Sequence, residues 1–388
     1  MKARAALKTV ALLAILGVLG VAALLAALWL EHRTDVTLPA PTGAFAVGRE
    51  LFDWRGDQRE LLVWIWYPAT PSAMLDDYVP PSVRTPAGAA GIFKLPTRDL
   101  SKVHGHSLRN AGVSRQQRSY PVVIMRSGGS APVMNYSTLA EDLASHGYVV
   151  VGFDAPYRTG LVVFPDGRVI ARTPENNPEL VSGKEFTRLA NKLLAAWTAD
   201  IAFALDRLEQ LNASDASGKF TGRLDMTRVG LFGHSFGGAQ AAQFCHDDAR
   251  CKAGIDIDGA PIGSVIQSGI DRPFMFLLSD HRGESGPESS QIMANIQSIY
   301  DRLPTDRRFR MTIGGANHFT FSDDGAVVKS RVFRGILRML GKLRIDGRRQ
   351  LAVTAYCVHT FFDAYLEGAS VAPLENAPRL YAEVSIIE

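Results

Sequence analysis

The segment Gly233-His234-Ser235-Phe236-Gly237 follows an apolar run, residues 229–232, and leads into a helix-forming run, residues 239–245. That placement constrains the chain more than any other feature. A serine at a tight strand–turn–helix junction must take strained dihedrals, and the flanking glycines remove side chains that would collide across the turn. The junction lifts the Ser235 hydroxyl off the end of a sheet and sets it at the start of a helix, where a nucleophile is placed. The spacing alone is weak, because 35 glycines in 388 residues make a chance match common. The blander reading is a serine in an ordinary glycine-rich turn, and the flanking strand and helix weigh against it.

The rest of the chain alternates strand and helix patterns. Residues 59–67 (RELLVWIWY) are rich in β-branched and aromatic side chains and pair back onto a strand starting near Ala44, across a turn at Arg55-Gly56-Asp57. Short apolar strands are expected at 121–125, 148–153, 229–232, 253–257, 274–278 and 309–313. Residues 138–145 and 349–367 read as helices, with Gly368 capping the second, which is expected to close the chain. A long amphipathic helix carries an apolar stripe of Phe186, Leu189, Leu193, Trp197, Ile201, Leu205 and Leu208, and Ser182 with Glu185 reads as its capping box. Residues 71–119 form an irregular, proline-rich insertion of lid-like length, and 160–172 a hairpin around Pro165-Asp166-Gly167. Buried strands alternating with helices predict an α/β fold, a mostly parallel sheet covered on both faces.

The N-terminus is a separate problem. No charge occurs from Thr9 to Leu30, a run of roughly 33 Å as a helix at ~1.5 Å per residue, enough to span a bilayer core of ~30 Å. Lys2, Arg4 and Lys8 precede it, so the positive-inside rule puts the chain beyond Leu30 outside the cytoplasm. The run ends in Leu28-Trp29-Leu30 without a small-residue cleavage pattern, which favours a retained anchor over a cleaved signal peptide. Residues 1–30 are thus expected to be a membrane anchor, 31–43 a linker and 44–388 one folded domain. The net charge of +3 gives no footprint for nucleic acid. Cys245 and Cys251 are close enough in sequence to be bridged and equally well placed to be small buried residues, whereas Cys357 reads as core.

A serine nucleophile needs a base, an orienting acid and an oxyanion hole. His318 follows the strand at 309–313 through Gly314-Gly315-Ala316-Asn317, the late position the chain order Ser, acid, His requires. His281 is a second choice, His234 should point away inside the elbow, and His104 and His106 lack a third metal ligand nearby. Asp258 and Asp280 each end a strand after the elbow, and the residues alone leave both open as the acid. Asp256 should face the other side of the sheet by alternation. Phe236, next after the serine, supplies one oxyanion N–H, and Gly129 in Ser127-Gly128-Gly129-Ser130 supplies the other.

Further motifs carry a family resemblance. They are Leu38-Pro-Ala-Pro-Thr-Gly-Ala-Phe-Ala-Val-Gly48 leading to Trp64-Ile-Trp-Tyr-Pro68, Asp142-Leu-Ala-Ser-His-Gly-Tyr148, Gly233-His-Ser-Phe-Gly-Gly238, Gly254-Ile-Asp-Ile-Asp258 and Asn317-His318-Phe319. Together they resemble the plasma-type (isoform II) platelet-activating factor acetylhydrolases, serine lipases of the α/β-hydrolase fold, and their bacterial relatives. The resemblance implies Ser235 as nucleophile, Asp258 as acid, His318 as base, and Gly129 and Phe236 as oxyanion donors; no cofactor and no metal are expected, because the sequence carries no phosphate-binding fingerprint and no metal-ligand spacing. Where the family has His-Gly after the third strand, this chain has Ser127-Gly128. The implied function is a membrane-tethered, exported hydrolase of short-acyl or lipid esters. The alternatives are an esterase of small soluble esters, a peptidase, or an inactive hydrolase fold that binds.

Overall fold

A computed structural model describes residues 2–56, 58–71, 74–84, 99–282, 285–327, 334–335, 338–339 and 343–387. The middle of the 71–119 insertion lies outside the described residues.

Ten strands form one sheet. In chain order they are β1 (Ala46–Gly56), β2 (Arg59–Ala69), β3 (Leu108–Arg109), β4 (Tyr120–Arg126), β5 (Val149–Asp154), β6 (Leu224–His234), β7 (Cys251–Ile257), β8 (Phe274–Leu278), β9 (Arg308–Ile313) and β10 (Val384–Ile386). Their spatial order is β10-β9-β8-β7-β6-β4-β5-β2-β1-β3. The six strands from β9 to β5 in that order run parallel to one another. The β1–β2 pair is antiparallel, as the sequence predicts, with Gly56 opposite Arg59 at its turn.

The main helices are α1 (Lys2–Arg33), which stands apart from the sheet, and α2 (Ser137–Ser145), α3 (Gly183–Ala213), α4 (Phe236–Asp247), α5 (Pro287–Tyr300) and α6 (Gly347–Leu366), which cover its two faces. Alternation along the strands sorts the core into two layers. Val123 and Met125 of β4, with Ala253, Ile255 and Ile257 of β7, meet α2 and α6 on one face. Val122 and Ile124 of β4, with Phe274 and Phe276 of β8, meet α3, α4 and α5 on the other. Strands buried on both sides are what a parallel sheet needs, and they explain the unbroken apolar runs.

The chain leaves β4 in one direction and returns to β6 in the other, so α2 and α4 lie on opposite faces and a crevice opens between these strands. Ligands bind at such a switch point, beyond the carboxyl ends of the strands.

Several expectations are corrected. Ser182 caps α3 only with its backbone, and Glu185 is bonded to Arg188, so no capping box forms. The helix α6 does not close the chain, because β10 follows and pairs antiparallel with β9. The hairpin is present, with Leu161–Val163 paired to Val169–Ala171. Cys245 and Cys251 are joined by a disulfide, which ties the end of α4 to the start of β7. Cys357 is buried, and burial pushes its thiol up to about 12. Within α1, Lys8–Ala27 has mean hydropathy 2.8 and none of it is buried; among the described residues it is the one helix long and apolar enough to cross a membrane.

Candidate active site

Ser235 sits at φ 57° and ψ −123°, immediately before α4. The neighbouring backbone is packed too closely for side chains: a Cβ on Gly233 would strike the Gly237 carbonyl, and one on Gly237 would strike the Arg126 carbonyl. The turn is held by Ser235 N–H donating to the Ile257 carbonyl at 2.9 Å and by Gly238 N–H donating to the Ser235 carbonyl at 2.9 Å. A non-glycine residue in this region costs of order 1–3 kcal/mol and persists because such contacts enforce it.

His318 Nε2 lies 3.1 Å from Ser235 Oγ, and His318 Nδ1 lies 2.7 Å from Asp258 Oδ2. The loop that presents His318 is anchored from α6. Buried Gln350 accepts from Asn317 N–H at 3.2 Å and donates to the Asn317 carbonyl at 3.1 Å, while the Asn317 side chain accepts from Phe319 N–H at 2.9 Å.

Asp258 follows β7 at φ 52°, and its buried carboxylate is fully engaged. Its Oδ1 accepts from Ser279 N–H at 2.7 Å and lies 2.7 Å from His281 Nε2. Burial alone would raise its pKa, but bonds from His281 and His318 and their charge outweigh burial and hold it below the usual carboxylate range.

Of the two carboxylates left open by the sequence, the structure brings only Asp258 to His318. Asp280 is bonded to Arg282 at 2.8 Å and accepts from Gly315 N–H at 2.8 Å, and these contacts keep it well below the usual carboxylate range. Asp256 lies two residues before Asp258 and so has the same strand parity, and the expectation that alternation turns it to the other side does not hold; its carboxylate packs against the start of α4, where a Cβ on Gly238 would strike it. It accepts from Gly259 N–H at 2.7 Å, and burial raises its pKa strongly.

Gly129 and Phe236 both flank Ser235. Among the described residues neither N–H has a protein acceptor, which leaves both for an incoming oxygen. Gly128 is required by contact, since a Cβ there would lie 2.9 Å from the Ser235 Cβ and 3.0 Å from His234 Nδ1. His234 is bonded to the Tyr136 hydroxyl at 2.7 Å, and its ring packs 4.6 Å from that of His318. Burial and the neighbouring His318 pull its pKa down to about 3, so it stays neutral behind the site.

The other histidines fall elsewhere. His104 pairs with Asp35, and His106 with Glu141. Sequence reasoning missed a cluster of Asp142, His146 and His359, whose ligand atoms lie within 4.8 Å of one another. Those atoms form a hydrogen-bonded knot with Thr42: Asp142 accepts from Thr42 N–H at 2.9 Å and from its hydroxyl at 2.8 Å, and lies 3.0 Å from His359 Nδ1. It fastens the segment after α1 to α2 and α6. The contact between His281 and Asp258 was missed too, although its position one residue past Asp280 was the available signal.

Beside Ser235 opens a cavity of about 400 Å³ that also touches Gly129 and Phe236. Residues 31–370 match the model of the platelet-activating factor acetylhydrolase, isoform II, family. The chain belongs to that family. It is 25% identical over 285 residues to an Arthroderma benhamiae protein named "Probable 1-alkyl-2-acetylglycerophosphocholine esterase", covering 69% of this chain and 66% of the relative. It is 28% identical over 229 residues to the platelet-activating factor acetylhydrolase of Bos taurus, covering 54% and 49%. This chain therefore spans about half to two thirds of the length of these relatives. Among solved structures, a ferulic acid esterase from Streptomyces cinnamoneus is similar with TM-score 0.72 and 25% identity, over 92% of this chain and 100% of that one. An esterase neighbour and a mostly parallel sheet covered on both faces agree with the α/β-hydrolase fold.

Proposed function

We propose that this chain is a serine carboxylic ester hydrolase, acting on short-acyl and lipid esters among its substrates. The observation that carries the reading is the continuous path Ser235 Oγ, His318, Asp258, at 3.1 Å and 2.7 Å, beside two unpaired N–H groups. His318 Nε2 takes the Ser235 proton as Oγ attacks the ester carbonyl, and Asp258 fixes the tautomer and stabilises the imidazolium. The carbonyl oxygen gains negative charge facing the N–H groups of Gly129 and Phe236, each worth roughly 3–4 kcal/mol to the transition state. His318 then protonates the departing alkoxide, leaving an acyl-serine. Water repeats the sequence, releasing the carboxylic acid and restoring Ser235.

The family and the names of the relatives support ester chemistry, and the apolar helix α1 supports a tether with the domain outside the cytoplasm. The disulfide fits an oxidising compartment. Ser235→Ala should abolish both ester hydrolysis and fluorophosphonate labelling; labelling of that variant at the wild-type rate would refute the nucleophile. For topology, a reporter active only outside the cytoplasm, fused after residue 42, should be active and sediment with membranes. Full release of the fusion as soluble protein would show cleavage instead of anchoring.

A further inference from the structure

We infer that the cavity beside Ser235 is an acyl pocket built for a bulky apolar acyl group in preference to acetyl. The inference rests on the ester-hydrolase reading and extends it to the acid half of the substrate.

Direction comes from the chemistry. Around the tetrahedral carbon on Ser235 Oγ, the oxyanion points to Gly129 and Phe236. The leaving oxygen must lie toward His318 Nε2, which delivers its proton. The acyl substituent takes the remaining direction, away from His318. The cavity borders Gly129, Ser235 and Phe236, and His318 is not among its walls. It therefore receives the acyl group, and the alcohol departs on the other side.

Size and lining give the class. At ~30 Å³ per water-sized unit, about 400 Å³ holds on the order of a dozen non-hydrogen atoms, far more than acetyl offers. The apolar wall is Phe186, Ala190, Leu193 and Trp197 on one face of α3, with Ile262 after β7 and Ile292 on α5, while Asn176, Glu288, Gln291 and Asn295 add polar atoms to the lining. The first part of the apolar stripe on α3 thus runs past the sheet and faces the cavity, and Phe186 stays 44% exposed. Two guanidinium groups also reach the wall, each with a carboxylate partner. Arg158 is 2.5 Å from buried Asp200 and stacks on Trp197, and Arg172 is 3.3 Å from Glu179. The wall therefore attracts apolar atoms more than an anionic chain end.

The test is kcat/KM of the full-length protein for p-nitrophenyl acetate, butyrate, octanoate and cinnamate, each below its aggregation limit. Full burial of a methylene is worth about fourfold, the equivalent of ~0.8 kcal/mol, so kcat/KM should climb steeply from acetate to octanoate, with cinnamate also above acetate. Ala190→Phe, which fills the cavity, should lower the octanoate-to-acetate ratio at least tenfold. The wild-type series decides the matter even if that variant does not fold. Acetate turnover with a flat or falling series would overturn the acyl-pocket inference and leave the hydrolase reading standing. No turnover of any ester, with no fluorophosphonate labelling, would overturn the hydrolase reading itself.

Discussion

Replacing Asp258 by asparagine changes one atom and reverses one hydrogen bond. The asparagine carbonyl can still accept from Ser279 N–H, which lies 2.7 Å from Oδ1, so the turn after β7 keeps its anchor. Its amide then faces His318 Nδ1, 2.7 Å from the present Oδ2, and two N–H groups cannot share that space. The imidazole must present Nδ1 as acceptor and carry its proton on Nε2, the nitrogen 3.1 Å from Ser235 Oγ. A protonated Nε2 cannot take the serine proton. In serine protease triads the corresponding change costs roughly 10⁴ in kcat, and at ~1.36 kcal/mol per tenfold that is about 5.4 kcal/mol. Asp280→Asn weakens a contact to Arg282, whose side chain is 81% exposed, and should cost less than about tenfold. Steady-state hydrolysis of one p-nitrophenyl ester by both variants, with circular dichroism to verify folding, separates the two carboxylates. A larger loss for Asp280→Asn, or an Asp258→Asn enzyme within tenfold of wild type, would refute the assignment.

His281→Ala should lower kcat about tenfold with little change in KM, because Asp258 loses its 2.7 Å partner, and His281→Gln, which can still donate, should recover most of it. A KM effect alone would argue against positioning. Asp258, held below the usual carboxylate range, should stay ionised and add no carboxylate limb to the pH–rate profile above pH ~4. The same depressed pKa gives Asp258 a contribution to stability that is complete above its unfolded value of ~4 and fades as pH falls toward its folded value; acid melts of wild type and Asp258→Asn should converge there. Replacing Cys245 and Cys251 by alanine should cost about 2–2.5 kcal/mol by the chain-entropy model, for a bridge between residues 6 apart in sequence, read as a fall in Tm. An unchanged Tm would mean that the bridge constrains nothing in the unfolded chain.

Local patterns were legible in the sequence, and long-range partnerships were not. The elbow was readable because steric necessity confines it to a few adjacent residues, and the two-faced strands because burial on both sides leaves unbroken apolar runs. The terminal strand β10 was missed, since a strand of 3 residues carries little periodicity and pairs with β9 across a long stretch of chain. The capping box failed because Arg188, one turn along α3, competes for Glu185. The α3 stripe was read correctly as apolar, yet periodicity could not tell that Phe186 ends at a cavity and Leu205 in the core.

The choice between the two acids shows where such reading stops. β7 and β8 are adjacent and parallel, so Asp258 and Asp280 both emerge at the carboxyl edge where His318 arrives. Strand register places either within plausible reach, and composition does not separate them. The turns after the strands decide. Asp258 takes φ 52° with its N–H on the Leu277 carbonyl, and that bend carries its carboxylate beneath His318. The carboxylate of Asp280 goes to Gly315 N–H, within the loop that leads to His318. One carboxylate thus orients the imidazole directly, and the other braces the backbone that delivers it. The division also explains why loss of Asp280 should act on the placement of His318 and loss of Asp258 on its protonation: the first should be partly recovered by anything that stabilises the 314–317 turn, and the second should not.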